Sequence, residues 1–161
     1  MPGEQRLDEV FTFDDQLSFL IPHEWVEGDP EGSAYLYHSP DGDSGWLRVS
    51  LVTSRESSNP AERLHDLFRD KPNYWMEEET ENLVYHYEKD AEQDGDLLHI
   101  YYWLVGNLQE PDLIQEAIFS YTVLRDQVSA ESNREMIAVL SQVLPRALFH
   151  LKGEVGKGKP S

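Results

Sequence analysis

His86 and His99 are the sharpest chemical signal in the chain. Each lies in a run of alternating residues, and a hairpin symmetric about the Glu92-Gln93 bond sets the two imidazoles opposite one another. Facing imidazoles on adjacent strands could share a metal ion, with Glu88 on the same face as a third ligand. Two nitrogens and an oxygen fall short of a closed tetrahedral site, so two histidines packed beneath a helix weigh more. Asp41-Gly42-Asp43-Ser44-Gly45 spaces carboxylates as a calcium loop does, but the position that should hold a bidentate glutamate is Val52. A plain turn is expected there. No G-x-S-x-G elbow and no Gly-rich phosphate loop occurs, and Gly153-Glu154-Val155-Gly156-Lys157 lacks Walker spacing. Nucleophilic catalysis and nucleotide binding are unsupported, and no cofactor is expected.

The aromatic residues point to recognition instead. Trp75, Tyr101 and Trp103, with Tyr35 and Tyr37, exceed what the aliphatic faces require, and Tyr74 joins Trp75 as a binding candidate. Tryptophan and tyrosine left uncovered among acidic residues are interface anchors. Trp103 weighs toward the core, since tryptophan is highly buried on average. Tyr74, Trp75 and Met76 follow a helix stop and precede Glu77-Glu78-Glu79-Thr80-Glu81, a connection suited to partner contact.

Charge narrows the partners. The 161 residues hold 31 acidic and 13 basic side chains, a net charge of −18. Nucleic acid and anionic membranes are repelled by such a field, because binding either depends on lysine and arginine neutralising phosphate. A basic protein partner suits it, as does a purely solubilising role. There is no cysteine, which fits a reducing compartment. The opening MPGEQRLDEV is no secretory signal, and no apolar run reaches the ~20 residues needed to span a bilayer. A cytoplasmic location without membrane insertion is expected.

Several elements must position these residues. Leu97 to Leu124 holds two long strands, LLHIYYWLVGN and LIQEAIFSYTVL, around which the rest is organised. Leu98, Ile100, Tyr102 and Leu104 form one face of the first; His99, Tyr101, Trp103 and Val105 form the other. The same hairpin puts Leu83, Tyr85 and Tyr87 on the first face. Neither face is polar, which predicts a cover on both sides. Val10 to Pro22 reads as a hairpin about Asp14-Asp15, and Trp25 closes one end of the core. Ala34 to His38 and WLRVSLVTS add strands. Asn59-Pro60-Ala61-Glu62 starts a short helix that Lys71-Pro72 stops. Ser132 with Glu135 makes a capping box for a second helix, striped by Met136, Ile137, Leu140, Val143 and Leu144 and ended by Pro145. Ala147 to Leu151 is expected to pack back on the sheet.

This order of elements resembles the PsbP-like and Mog-like (Ran-binding) superfamily, which includes bacterial DcrB-like proteins and the Eag adaptors of type VI secretion. The resemblance spans Phe11 to Phe149 and rests on Ile21-Pro22-His23-Glu24-Trp25 and the FSYTVL strand. It implies an α/β/α sandwich around an antiparallel sheet, and protein binding without a shared catalytic set.

The expected fold is therefore α+β: an antiparallel sheet of about six strands with helices packed on both faces. Residues 1–152 form a single domain, and 153–161 read as a disordered tail. The leading function is a non-enzymatic protein-binding module, an adaptor, chaperone or assembly factor, and a homodimer is compatible with it. A toxin-neutralising immunity protein is the alternative, and a metal-dependent enzyme using His86 and His99 stands third.

Overall fold

Alternation sets the first hairpin: Leu7–Thr12 (β1) and Leu17–Pro22 (β2) pair antiparallel, with Thr12 opposite Leu17. The structure, a computed structural model, describes residues 6–30, 32–40, 45–109 and 111–150. The Asp41 to Ser44 part of the calcium-like turn and the expected tail lie outside them. At the hairpin tip Phe13, Asp14 and Asp15 take φ of 56°, 55° and 66°, a left-handed run that residues with side chains rarely sustain. Phe13 N–H donates to the Tyr35 hydroxyl (3.1 Å) and Gln16 N–H to the Phe13 carbonyl (3.0 Å), which holds the tip.

The chain continues through Val26–Glu27 (β3), Tyr35–His38 (β4), Trp46–Arg55 (β5), helix Pro60–Phe68 (α1) and Trp75–Met76 (β6). Leu83–Gln93 (β7), Asp96–Gln109 (β8) and Leu113–Leu124 (β9) follow. A 3-10 turn at Arg125–Gln127 leads into helix Glu131–Val143 (α2), a second 3-10 turn at Leu144–Arg146 and Leu148–Phe149 (β10). Pro145 stops α2 as expected, but the helix begins a turn-fraction early, capped by Ala130, so Ser132 lies inside it rather than at its cap.

These strands make two sheets. One has seven strands in the order β3-β4-β5-β9-β8-β7-β6; the other has three, β1-β2-β10. The expected α/β/α sandwich, with about six strands and helices on both faces, is not what forms. The first hairpin does not join the large sheet. Its apolar side, Leu17, Phe19 and Ile21, lies on one face of that sheet beside Leu140 and Leu144, so a small sheet and α2 share the cover. Leu148 and Phe149 pair with Ser18 and Leu17, the apolar tail becoming a third strand of that layer. Trp25 stacks on Tyr121 at 5.9 Å between ring centres and closes the end of this core.

On the opposite face, among the described residues, α1 packs with Tyr74 beside it. Leu64 and Phe68 rest with Leu83 and Ile114, and they reach the strands because position 106 is glycine. A Cβ there would stand 2.8 Å from a Phe68 ring carbon.

The β7–β8 register also differs from the expected one. Asp94 and Gly95, at φ 53° and 86°, make the tight turn, so His86 pairs with Trp103 and His99 with Asp90. An Asp-Gly pair supplies the two positive φ angles that a two-residue hairpin turn demands. Glu92-Gln93 does not. Moving the partner by an even number of residues leaves every side chain on its expected face. Leu83, Tyr85 and Tyr87 therefore share a face with Leu98, Ile100, Tyr102 and Leu104. Leu98 on that face is buried, while Ile100, Tyr102 and Leu104 are part-exposed.

Candidate functional site: the open face of the large sheet

Beside α1, three rows of side chains cross the large sheet, and Leu104 and Tyr85 of the last row pack against the α1 cluster. One runs Leu36, Arg48, Ser120, Tyr102, Tyr87; the next Trp46, Thr122, Ile100, Lys89; the third Ser50, Ile118, Leu104, Tyr85. None of these positions is Asp or Glu. The first carboxylate appears one row further, at Glu116 between Val52 and Gly106, where α1 begins to cover the sheet. Burial pushes the Glu116 carboxyl above its ordinary range, and nearby Lys71 partly offsets this.

The tyrosines form a ladder. Tyr87 lies flat on Tyr102 at 4.5 Å between ring centres, with the planes 7° apart, and Tyr85 stacks on Tyr87 at 5.4 Å. Lys89 Nζ stands 5.4 Å from the centre of the Tyr102 ring, a cation–π contact that leaves its ammonium at the surface. Burial, then the neighbouring phenols of Tyr102 and Tyr85, raise the Tyr87 pKa, so its hydroxyl stays neutral. Trp46, 38% exposed, extends a carboxylate-free aromatic surface at the other side. Because rings pack on rings, hydroxyls and ring edges are what a partner would meet.

The covered face of the same strands holds the histidines. His86 Nδ1–H donates to the Tyr102 carbonyl (2.8 Å), and its ring stacks on Trp103 at 4.9 Å. Glu88 stands between the two histidines, its carboxylate 3.6 Å from His86 Nε2 and 2.8 Å from His99 Nε2. His99 Nδ1 meets Asp90 at 2.7 Å. Burial works against a charged His99, but hydrogen bonds to Asp90 and Glu88 outweigh it and raise the pKa. Both ring nitrogens are thus donors to carboxylates, which is imidazolium chemistry rather than that of a metal ligand. Among the described residues no three His, Asp or Glu side chains gather in a way that could hold a metal ion. Arg125 Nε lies 3.5 Å from Asp90, and Asn133 Nδ2 donates to the Tyr101 hydroxyl (3.0 Å), so this network pins α2 and the 3-10 turn before it to the strands.

The four aromatic residues singled out in the sequence separate. Trp103 and Tyr101 are buried in the main core, at 1% and 4% exposure. Trp75 is 39% exposed and donates its Nε1–H to Glu77 (2.7 Å). Tyr74 leans on Phe68 beside α1. Tyr85, Tyr87, Tyr102, Ile118 and Trp46 were not among them. Their signal was Ser50 and Ser120, part-exposed hydroxyl residues set between apolar neighbours on β5 and β9, which mark a face that water reaches.

No known protein-family model matches the chain, and no curated protein does. Nine chains of known structure are similar to it. A crystal structure from Bacteroides thetaiotaomicron VPI-5482 matches with a TM-score of 0.60 at 15% identity, covering 91% of this chain and 49% of its own. The present chain therefore spans about half the length of that protein, and the likeness shows the fold. LpqN of Mycobacterium tuberculosis, a protein involved in cell envelope biogenesis, matches with a TM-score of 0.47 at 10% identity over 87% and 90% of the two chains. The solution structure of the PsbP protein CyanoP from Synechocystis sp. PCC 6803 gives 0.38 at 12% identity over 92% and 95%. A PsbP protein is thus among the structural neighbours, and the Mog-like, Ran-binding and DcrB-like branches of the resemblance are not shown. Neither of these two likenesses carries an argument about function. Among the described residues no helix is long and apolar enough to cross a membrane.

Proposed function

We propose that this chain is a non-enzymatic protein-binding module that docks its partner on the open face of the large sheet. One observation carries the reading: three rows across the sheet without a carboxylate, in a chain with 31 acidic residues. Loss of acidic side chains together with tyrosine and tryptophan enrichment is the composition of an interface core. Sheets pack face to face at about 10 Å through such side chains. The partner is another protein or a second copy of this chain, and residues 1–152 act as one domain in a cytoplasmic setting. Neutralising a basic toxin would draw on the acidic remainder of the surface instead.

A photo-crosslinking residue at position 87 or 46 tests the docking face. A defined adduct at both positions, lost when Tyr102→Arg is added, is the expected result. Adducts that form equally from an exposed control position such as Ser57 would overturn it.

A further inference from the structure

A cleft of about 510 Å³ lies on the far side of the molecule, between the outward side of the small sheet and the connection after β6. Its size falls within the ~300–1,000 Å³ of ligand clefts. Three apolar side chains line it and remain open to water: Leu20 at 36%, Met76 at 49% and Leu148 at 44% exposure. They come from three separate elements, β2, β6 and β10, so local sequence does not account for their meeting.

The charged lining is one-sided. Glu9, Glu77, Glu78 and Glu79 border the cleft, against Arg146 alone. Arg146 Nε is already 3.7 Å from Glu77, which also accepts the Trp75 indole N–H. Glu9, Glu78 and Glu79 make no ion pair among the described residues. An apolar floor under a carboxylate rim selects against free metal ions, which have no use for the floor, and against acidic or purely apolar chains, which the rim repels or leaves unpaired.

We infer that this cleft binds a short cationic segment of another protein, one that alternates lysine or arginine with large apolar side chains. Leu20, Met76 and Leu148 take the apolar side chains, while Glu9, Glu78 and Glu79 take the cations. The cleft is separate from the open face of the large sheet, so either surface can fail its test without the other. A partner that uses both would be held at two points.

The test titrates the full chain with a fluorescein-labelled six-residue peptide of alternating lysine and leucine, read by anisotropy. Saturable binding is expected that weakens as salt rises. A lysine–serine peptide and a glutamate–leucine peptide should each bind at least tenfold more weakly. Glu78→Lys with Glu79→Lys should cost tenfold or more, as should Leu148→Asp, while Trp46→Arg on the open face leaves binding unchanged. Circular dichroism confirms that each variant is folded. Equal binding of the lysine–serine peptide would reduce the effect to bulk charge and overturn the inference, as would unchanged affinity in both cleft variants. The chain's own end, LKGEVGKGKPS, carries three lysines. If Lys157→Glu with Lys159→Glu in the full chain raises peptide affinity tenfold, that segment is the occupant and the partner proposal falls.

Discussion

The two faces of the large sheet are built by alternate residues of the same strands, yet they end in different states. On β9, Ala117, Phe119, Tyr121 and Val123 are buried beneath the small sheet and α2, while Ile118 and Ser120, their immediate neighbours, are part-exposed on the other side. Backbone pairing is common to both faces, so it cannot be the cause. The difference lies in what the chain has left to cover them. The covered face receives a hairpin, a closing strand and a thirteen-residue helix; the open face receives the nine residues of α1. One face is a core, and the other keeps alternate side chains of the same strands part-exposed.

Substitutions that compare the faces should separate most at adjacent positions. Trp103→Ala, at a fully buried site, should destabilise the fold by about 3–5 kcal/mol in denaturant unfolding. Tyr102→Ala, next along the strand but on the open side, should cost roughly 1 kcal/mol, and equal losses would abolish the distinction. Gly106→Ala probes the patch that α1 does cover. The added methyl meets Phe68 and Leu64, so a loss of about 1–3 kcal/mol is expected. A neutral result would mean that α1 is loosely seated.

The remaining tests are of pH and are smaller. Glu116 binds its proton more tightly folded than unfolded, so its ionisation opposes folding above its unfolded value of 4.5. Glu116→Gln should therefore raise the melting temperature at pH 7, and the gain should shrink toward pH 4. A gain independent of pH would point to a cause other than charge. On the covered face the signs reverse. His99 is raised, so its contribution is complete below pH 6.5 and is lost as pH rises through the folded value. Asp90 is lowered, chiefly by its hydrogen bond with His99, so its contribution is present above pH 3.8 and is lost as pH falls through the folded value. The pair thus supports the fold best between those limits. The melting-temperature difference between wild type and His99→Gln should peak there and be the smallest effect of the set, because the carboxylates are half exposed. A difference that grows above pH 8 would contradict the assigned imidazolium.

The faces of the long strands were legible because parity is a local property: residues at i and i+2 point the same way whatever the partner. Register was less so. It depended on recognising Asp94-Gly95, and the symmetric alternative chosen at Glu92-Gln93 preserved the faces only because the error was even. The layers were hardest to read. Leu17, Phe19 and Ile21 alternate as any half-buried strand does, and nothing in that pattern says whether the strand joins the large sheet or lies across it. Only Leu148 and Phe149, far along the chain, decide this by pairing with β2. The aromatic candidates separated into buried and exposed for a related reason. Trp103 and Tyr102 are equally aromatic, and exposure was decided by the layer over each face: the small sheet and α2 over Trp103, the short α1 on the side of Tyr102.

The closure of the small sheet also sets an order of events. Ser18 Oγ meets His150 Nε2 at 3.3 Å, a contact spanning 132 residues, and β2 gains its second neighbour only from Leu148 and Phe149. Until Leu148 and Phe149 pair, that edge of β2 presents open backbone N–H and C=O groups. Long-range pairing of this kind slows folding and prolongs exposure of apolar surface. The first hairpin therefore keeps an adhesive edge until a segment far along the sequence closes it.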